Sequence, residues 1–181
     1  GLGDVYKRQE LGNLKKSKVG ILMGGLSTEK EISLKTGKQV SKALNEKYNV
    51  KEIVVDENLE KLVKVLKDFA PKYVFNALHG KFGEDGQIQS ILNYLKIPYS
   101  HSGVLCSSLA MNKFFSKLIF EKEGLTCPKG EIIDLNNAKK IKKEYPYILK
   151  PLDGGSSIDI FIVNSLKSQK KYFTKFFENN K

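Results

Sequence analysis

Between residues 18 and 100, a strand-length apolar run gives way repeatedly to a loop and then to an amphipathic helix, and this alternation limits the fold more than any other feature. The runs are Val19–Met23, Val50–Val55 and Tyr73–Leu78. The helices that follow carry Ile32, Thr36, Val40, Ala43 and Leu44 on one face, then Leu59, Leu62, Val63, Leu66 and Phe69, then Ile88, Ile91, Leu92 and Leu95. Ile97-Pro98-Tyr99 adds a short fourth run. The order β-α-β-α-β-α-β predicts a doubly wound parallel sheet covered by helices on both faces.

Two of these runs end in loops that a packed core does not require. Gly24-Gly25-Leu26-Ser27-Thr28-Glu29 follows the first and leads into a helix, where outward N–H groups make a ready carboxylate or anion site. His79-Gly80-Lys81-Phe82-Gly83-Glu84-Asp85-Gly86 follows the third, just beyond a strand's carboxyl end, where ligands bind in open α/β sheets. No complete G-x-G-x-x-G is present, which argues against a dinucleotide.

The pattern changes near Ala110. Phe114, Phe115, Leu118 and Ile119 mark one apolar helix face, followed by an expected strand at Glu131–Ile133 and a lysine-rich helix at Asn136–Glu144. The strand Tyr147–Lys150 then pairs with Ile158–Val163 across a loop containing Gly154, Gly155, Ser156 and Ser157. Ser165–Lys181 reads as a polar, lysine-rich helix. This is an α+β order, so the expected division is a leader at 1–17, a first domain at 18–110 and a second unit at 111–181. The leader contains Arg8 and lacks hydrophobic periodicity, and it reads as non-native or disordered.

Composition narrows the function. The net charge is +11, yet of the 31 basic residues only Arg8 is arginine. Lysines spread over helix faces lack the bidentate fork that reads phosphates and guanine edges, so a nucleic-acid surface is disfavoured while polyanionic ligands such as ATP are still attracted. No apolar run approaches the roughly 20 residues of a membrane span, and a cytoplasmic protein is expected. Cys106 and Cys127 are expected to be buried thiols, and two histidines, His79 and His101, do not make a zinc site.

Together the motifs resemble D-alanine–D-alanine ligases of the ATP-grasp superfamily. The resemblance runs from about Lys18 to about Val163. It rests on Gly24-Gly25-Leu26-Ser27-Thr28-Glu29-Lys30-Glu31-Ile32-Ser33, on Ala77-Leu78-His79-Gly80 with Gly83-Glu84-Asp85-Gly86, on Pro98-Tyr99 with Ser102-Gly103, on Met111-Asn112-Lys113, and on Lys150-Pro151 with Gly155-Ser156-Ser157. It implies a pre-ATP-grasp domain followed by an incomplete ATP-grasp domain. The implied reaction is ATP-dependent joining of two D-alanines through an acyl phosphate, for peptidoglycan precursors.

By resemblance, Glu29 orients the ammonium of the first D-alanine, although an acid that opens a helix also favours the macrodipole. His79 matches the histidine beside the reacting carboxyl. Lys113 and Lys150 match nucleotide-binding lysines, and Gly155, Ser156 and Ser157 match the loop over the phosphates, with Ser156 also reaching the substrate. Glu84 and Asp85 fit loop structure and substrate contact equally. Asp159 stands where the family has glycine. Magnesium ligands are expected in a further carboxyl-terminal part that these residues do not contain, so the chain alone is expected to be inactive; the full-length protein is expected to be a homodimer. A D-alanine–D-lactate or other ATP-grasp amino-acid ligase, a non-catalytic remnant and a basic nucleic-acid module are the alternatives.

Overall fold

The structure is a computed structural model and describes residues 17–134, 144–154 and 159–179. The expected leader up to residue 16, the helix expected from Asn136, and the loop residues Gly155, Ser156 and Ser157 lie outside the described residues. The chain divides into two compact units, the first ending at Met111 and the second beginning at Asn112.

The first unit runs β1 (Lys18–Gly24), α1 (Lys30–Asn45), β2 (Asn49–Val55), α2 (Leu59–Phe69), β3 (Tyr73–Asn76), α3 (Gln87–Tyr94) and α4 (Val104–Met111). The strands form a parallel sheet in the order β2-β1-β3, so the first strand is central. Its side chains alternate between two cores, as the pleat requires. Val19, Ile21 and Met23 pack with Leu34, Val40 and Leu44 of α1. Leu22 packs on the other side with Leu62 and Leu66 of α2 and Ile88 and Leu92 of α3. The expected doubly wound α/β architecture is therefore present.

Three local expectations change. The fourth run is a single parallel bridge between Val74 and Tyr99. Pro98 accepts from the Val74 N–H at 2.8 Å but has no N–H of its own to extend the ladder. On α1 the buried residues are Ser33, Gly37 and Ser41, spaced one turn apart, while Ile32 is 52% exposed. The reason is close approach: a Cβ on Gly37 would sit 2.5 Å from the Met23 Cβ, so the helix lies against β1 through its small residues. Cys106 is exposed, because Ser107 is the residue that α4 buries, and Cys127 is partly exposed.

The second unit contains α5 (Lys113–Lys122), the antiparallel pair β4 (Tyr147–Leu149) and β5 (Phe161–Val163), and α6 (Leu166–Asn179). Residues 131–133 form no strand, since no described segment pairs with them. The Asn112 side chain caps α5 by accepting from the Phe114 and Phe115 N–H groups. Phe114, Phe115, Leu118 and Ile119 are all exposed. The last helix is less polar than its lysines indicated: Tyr172 stacks on Phe161 at 4.9 Å and Phe176 meets the same ring edge-on.

The seating of α1 makes a prediction. Gly37→Ala should destabilise the chain by about 1–3 kcal/mol through overpacking against Met23, whereas Ile32→Ala should change stability by no more than about 0.5 kcal/mol. Urea unfolding of the two variants checks this, and equal midpoints would refute the small-residue contact.

Candidate functional site

The carboxyl edge of the parallel sheet gathers both loops. Ser33 Oγ, fully buried in the first turn of α1, accepts from the Gly24 N–H at 2.9 Å and donates to the Ala77 carbonyl at 2.8 Å. Ser27 Oγ donates to the His79 carbonyl at 2.7 Å and accepts from the Glu29 N–H at 3.2 Å. Each serine thus joins the loop after β1 to the loop after β3.

Glu29 precedes α1 and is 8% exposed. Its side chain does not cap the helix; a Cβ placed on Gly80 would lie 3.2 Å from its Oε2. Glu29 therefore stands against the backbone of the second loop. His79 Nδ1 is 3.9 Å from Glu84 Oε1. His79 Nε2 is buried and has no hydrogen-bond partner among the described residues. The two tied loops thus carry a carboxylate, an imidazole with an uncommitted nitrogen and a helix N-terminus at one edge of the sheet. Such a set suits a zwitterion, with the carboxylate for an ammonium and the imidazole and helix end for a carboxyl group.

Glu84 and Asp85, open to either role on sequence, both hold the loop together. Glu84 Oε2 accepts from the Gly80 N–H at 2.6 Å. Asp85 accepts from the Phe82 N–H at 2.9 Å, the Gln87 N–H at 3.1 Å and Gln87 Nε2 at 2.7 Å, fixing the entry to α3. Behind them lies a buried polar group that sequence reasoning missed. Asn76 and Gln89, 3% and 0% exposed, both donate to the Gly83 carbonyl, at 2.8 and 2.9 Å. The available signal was an amide on each of two otherwise apolar faces, at the end of β3 and between Ile88 and Leu92.

In the second unit Lys113 begins α5 and donates through Nζ to the Gly154 carbonyl at 2.6 Å and, at 3.4 Å, to that of Leu152. Asn112 bridges Asp153, which brings residues 150–154 beside the start of the helix. Burial, and after it the neighbouring Lys150 ammonium, pull Lys113 below the ordinary lysine range, while Asp153 pulls it back up. Lys113 and Lys150 are thus close enough to repel. Two ammonium groups that repel each other suit an anion carrying more than one charge, which would relieve the repulsion. Asp159 has φ 55°, in the left-handed region that favours glycine. Among the described residues no group of three or more His, Cys, Asp or Glu is placed to hold a metal ion.

No protein-family model matches the chain. Curated relatives do. The D-alanine–D-alanine ligase of Wolbachia pipientis wMel is 49% identical over 150 residues, covering 81% of this chain and 47% of that protein. The enzyme of the same name from Pelagibacter ubique is 45% identical over 163 residues, covering 84% and 53%. The crystal structure of D-alanine–D-alanine ligase from Bacillus anthracis matches with a TM-score of 0.74 and 34% identity, over 90% of this chain and 54% of that one. The chain is similar to D-alanine–D-alanine ligases over about four fifths of its own length. It spans about half the length of the curated family members it matches. The Bacillus anthracis enzyme complexed with ATP matches similarly, with a TM-score of 0.72 and 33% identity over 90% of this chain. Of the residues singled out on sequence, Glu29 lies against Gly80, next in the chain to His79, and Lys113 lies within the field of Lys150; Gly155, Ser156 and Ser157 lie outside the described residues.

The lysine pair can be tested by titration. Asp153→Asn should move Lys113 further down and Lys150→Met should move it up, since one removes an attraction and the other a repulsion. Nuclear magnetic resonance of the Lys113 side chain as a function of pH reads both, and an unchanged titration in Lys150→Met would refute the coupling.

Proposed function

We propose that this chain is the amino-terminal part of an ATP-dependent D-alanine–D-alanine ligase acting in peptidoglycan synthesis, and that it supplies the first-substrate site and the beginning of the nucleotide site. The observation that carries this is the 49% identity to a ligase of that name over 81% of the chain. The meeting of the two loops at Glu29 and His79 supports it. In the proposed reaction the carboxylate of one D-alanine attacks the terminal phosphorus of ATP, giving an acyl phosphate and ADP. The amine of the second D-alanine then attacks that carbonyl carbon, a proton leaves the nitrogen, and inorganic phosphate departs.

The residues of this chain serve mainly to position charge. Glu29 accepts from the ammonium of the first D-alanine. His79 offers Nε2 to its carboxyl group. Lys113 and Lys150 hold phosphate oxygens of ATP, which relieve the repulsion between the two ammonium groups. Gly155, Ser156 and Ser157 cover the phosphates, with Ser156 also touching the substrate. Magnesium, when bound, would neutralise the phosphate oxygens. We assign its ligands to the half of the relatives that this chain does not match. A cytoplasmic homodimer is the proposed state of the whole protein. Among the described residues no helix is long and apolar enough to cross a membrane.

The test joins this chain to the carboxyl-terminal half of the Wolbachia relative and measures phosphate release with ATP, magnesium and D-alanine. The joined protein should turn over in a D-alanine-dependent manner and the 181-residue chain alone should not. Glu29→Gln should cost about 1.5–3 kcal/mol of substrate binding, seen as a rise in KM for D-alanine of roughly ten- to a hundredfold. A folded but inactive joined protein would overturn the proposal, and turnover by the chain alone would place metal ligands among its own residues. Asp159→Gly should tighten ATP binding in calorimetry, because it removes a carboxylate near the phosphates and relieves a left-handed backbone. Weaker binding would mean that this side chain lies away from the nucleotide.

A further inference from the structure

We propose that Asn76 and Gln89 are positioning residues, whose carboxamides grip the Gly83 carbonyl and, braced by His101, hold the loop bearing His79 and Glu84 in register with the substrate. Both amides use both of their hydrogens. Asn76 Nδ2 lies 2.8 Å from the Gly83 oxygen and 3.0 Å from His101 Nδ1. Gln89 Nε2 lies 2.9 Å from the same oxygen and 3.5 Å from the same ring nitrogen. The Leu78 N–H donates to Asn76 Oδ1 at 3.1 Å, which fixes the orientation of that amide. Two donors face His101 Nδ1, so that nitrogen is the acceptor and the ring carries its proton on Nε2.

The clamp is costly as packing alone. Gln89 is fully buried on the apolar face of α3, and its Oε1 has no partner among the described residues. A buried acceptor without a partner destabilises, and a Leu or Met there would fill the space at lower cost. What the amide gains is a fixed carbonyl. Gly83 is pressed so close to the end of β3 that a Cβ would fall 2.5 Å from the Leu78 Cβ. Any shift of Gly83 carries Glu84 with it, and Glu84 holds the Gly80 N–H and faces His79 Nδ1. The clamp therefore sets where His79 stands.

This rests on the proposed role of His79, and two readouts keep the two proposals separable. On the 181-residue chain, long-range proton–nitrogen spectra of the imidazoles should show His101 protonated at Nε2. Gln89→Met should speed amide exchange at residues 80–84 by tenfold or more relative to β1. In the joined ligase, Gln89→Met should raise KM for D-alanine and lower kcat together, reducing kcat/KM about ten- to a hundredfold, with KM for ATP unchanged. His101→Asn, which keeps an acceptor near the Nδ1 position, should retain most activity, whereas His101→Leu should lose it. His101 protonated at Nδ1 would overturn the clamp. So would a Gln89→Met protein with lowered Tm but unchanged kinetics and loop exchange. If the unsubstituted joined protein shows no turnover, the ligase assignment fails, while the spectra and exchange rates still decide the clamp.

Discussion

The site depends first on a buried hydroxyl. Parallel strands bring their carboxyl ends to one edge, but nothing in a ladder prevents the loops beyond from diverging. Ser33 opposes this, by accepting from the last residue of β1 and donating to the residue just after β3, and Ser27 adds a second tie further out. A net contribution of about 1 kcal/mol per hydrogen bond understates its role, because both partners are buried and would be left without a hydrogen bond if it went. Its position is possible only because α1 lies flush on the sheet, which in turn requires Gly37 one turn later. Packing, loop closure and the placement of Glu29 are therefore a single constraint.

Much of the first unit was legible because its signal is periodic and apolar. The runs at Val19, Val50 and Tyr73 became strands, and α2 buries Leu62 and Leu66 as its spacing predicted. What failed to show was burial carried by small or polar side chains. Hydrophobic periodicity assigned Ile32 to the buried face of α1, although Ser33, Gly37 and Ser41 allow the closer approach. Asn76 and Gln89 were invisible for the same reason, since an amide in an apolar pattern is read as an interruption until its partners are known. Pro98 ended a strand that its neighbours favoured, and α6 read as polar because its rings are spaced among lysines.

The candidate site residues were found differently. Neither Glu29 nor Lys113 has a pattern that separates it from a surface residue, and it was their order among the motifs that singled them out. Geometry then distinguishes them from the rest of a lysine-rich chain. Glu29 is nearly buried beside the second loop, and Lys113 sits between carbonyls under the field of Lys150. Glu84 and Asp85, equally conspicuous in sequence, spend their oxygens on the N–H groups of their own loop.

The two units differ in what holds their ligand groups. The loops at Glu29 and His79 rise from a sheet whose central strand is buried on both faces. The loop after Lys150 rises from a two-stranded antiparallel pair, whose outward residues Ile148 and Ile162 are exposed and whose core among the described residues centres on Leu149 and Val163. A pair of strands is marginal by itself, and here it draws support from the rings of α6. Local stability should therefore be higher around the loops that bear Glu29 and His79 than around Lys113 and Lys150. Elements that open are drawn from the less stable end of a fold, so opening should begin in the unit that bears Lys113 and Lys150 rather than at the parallel sheet.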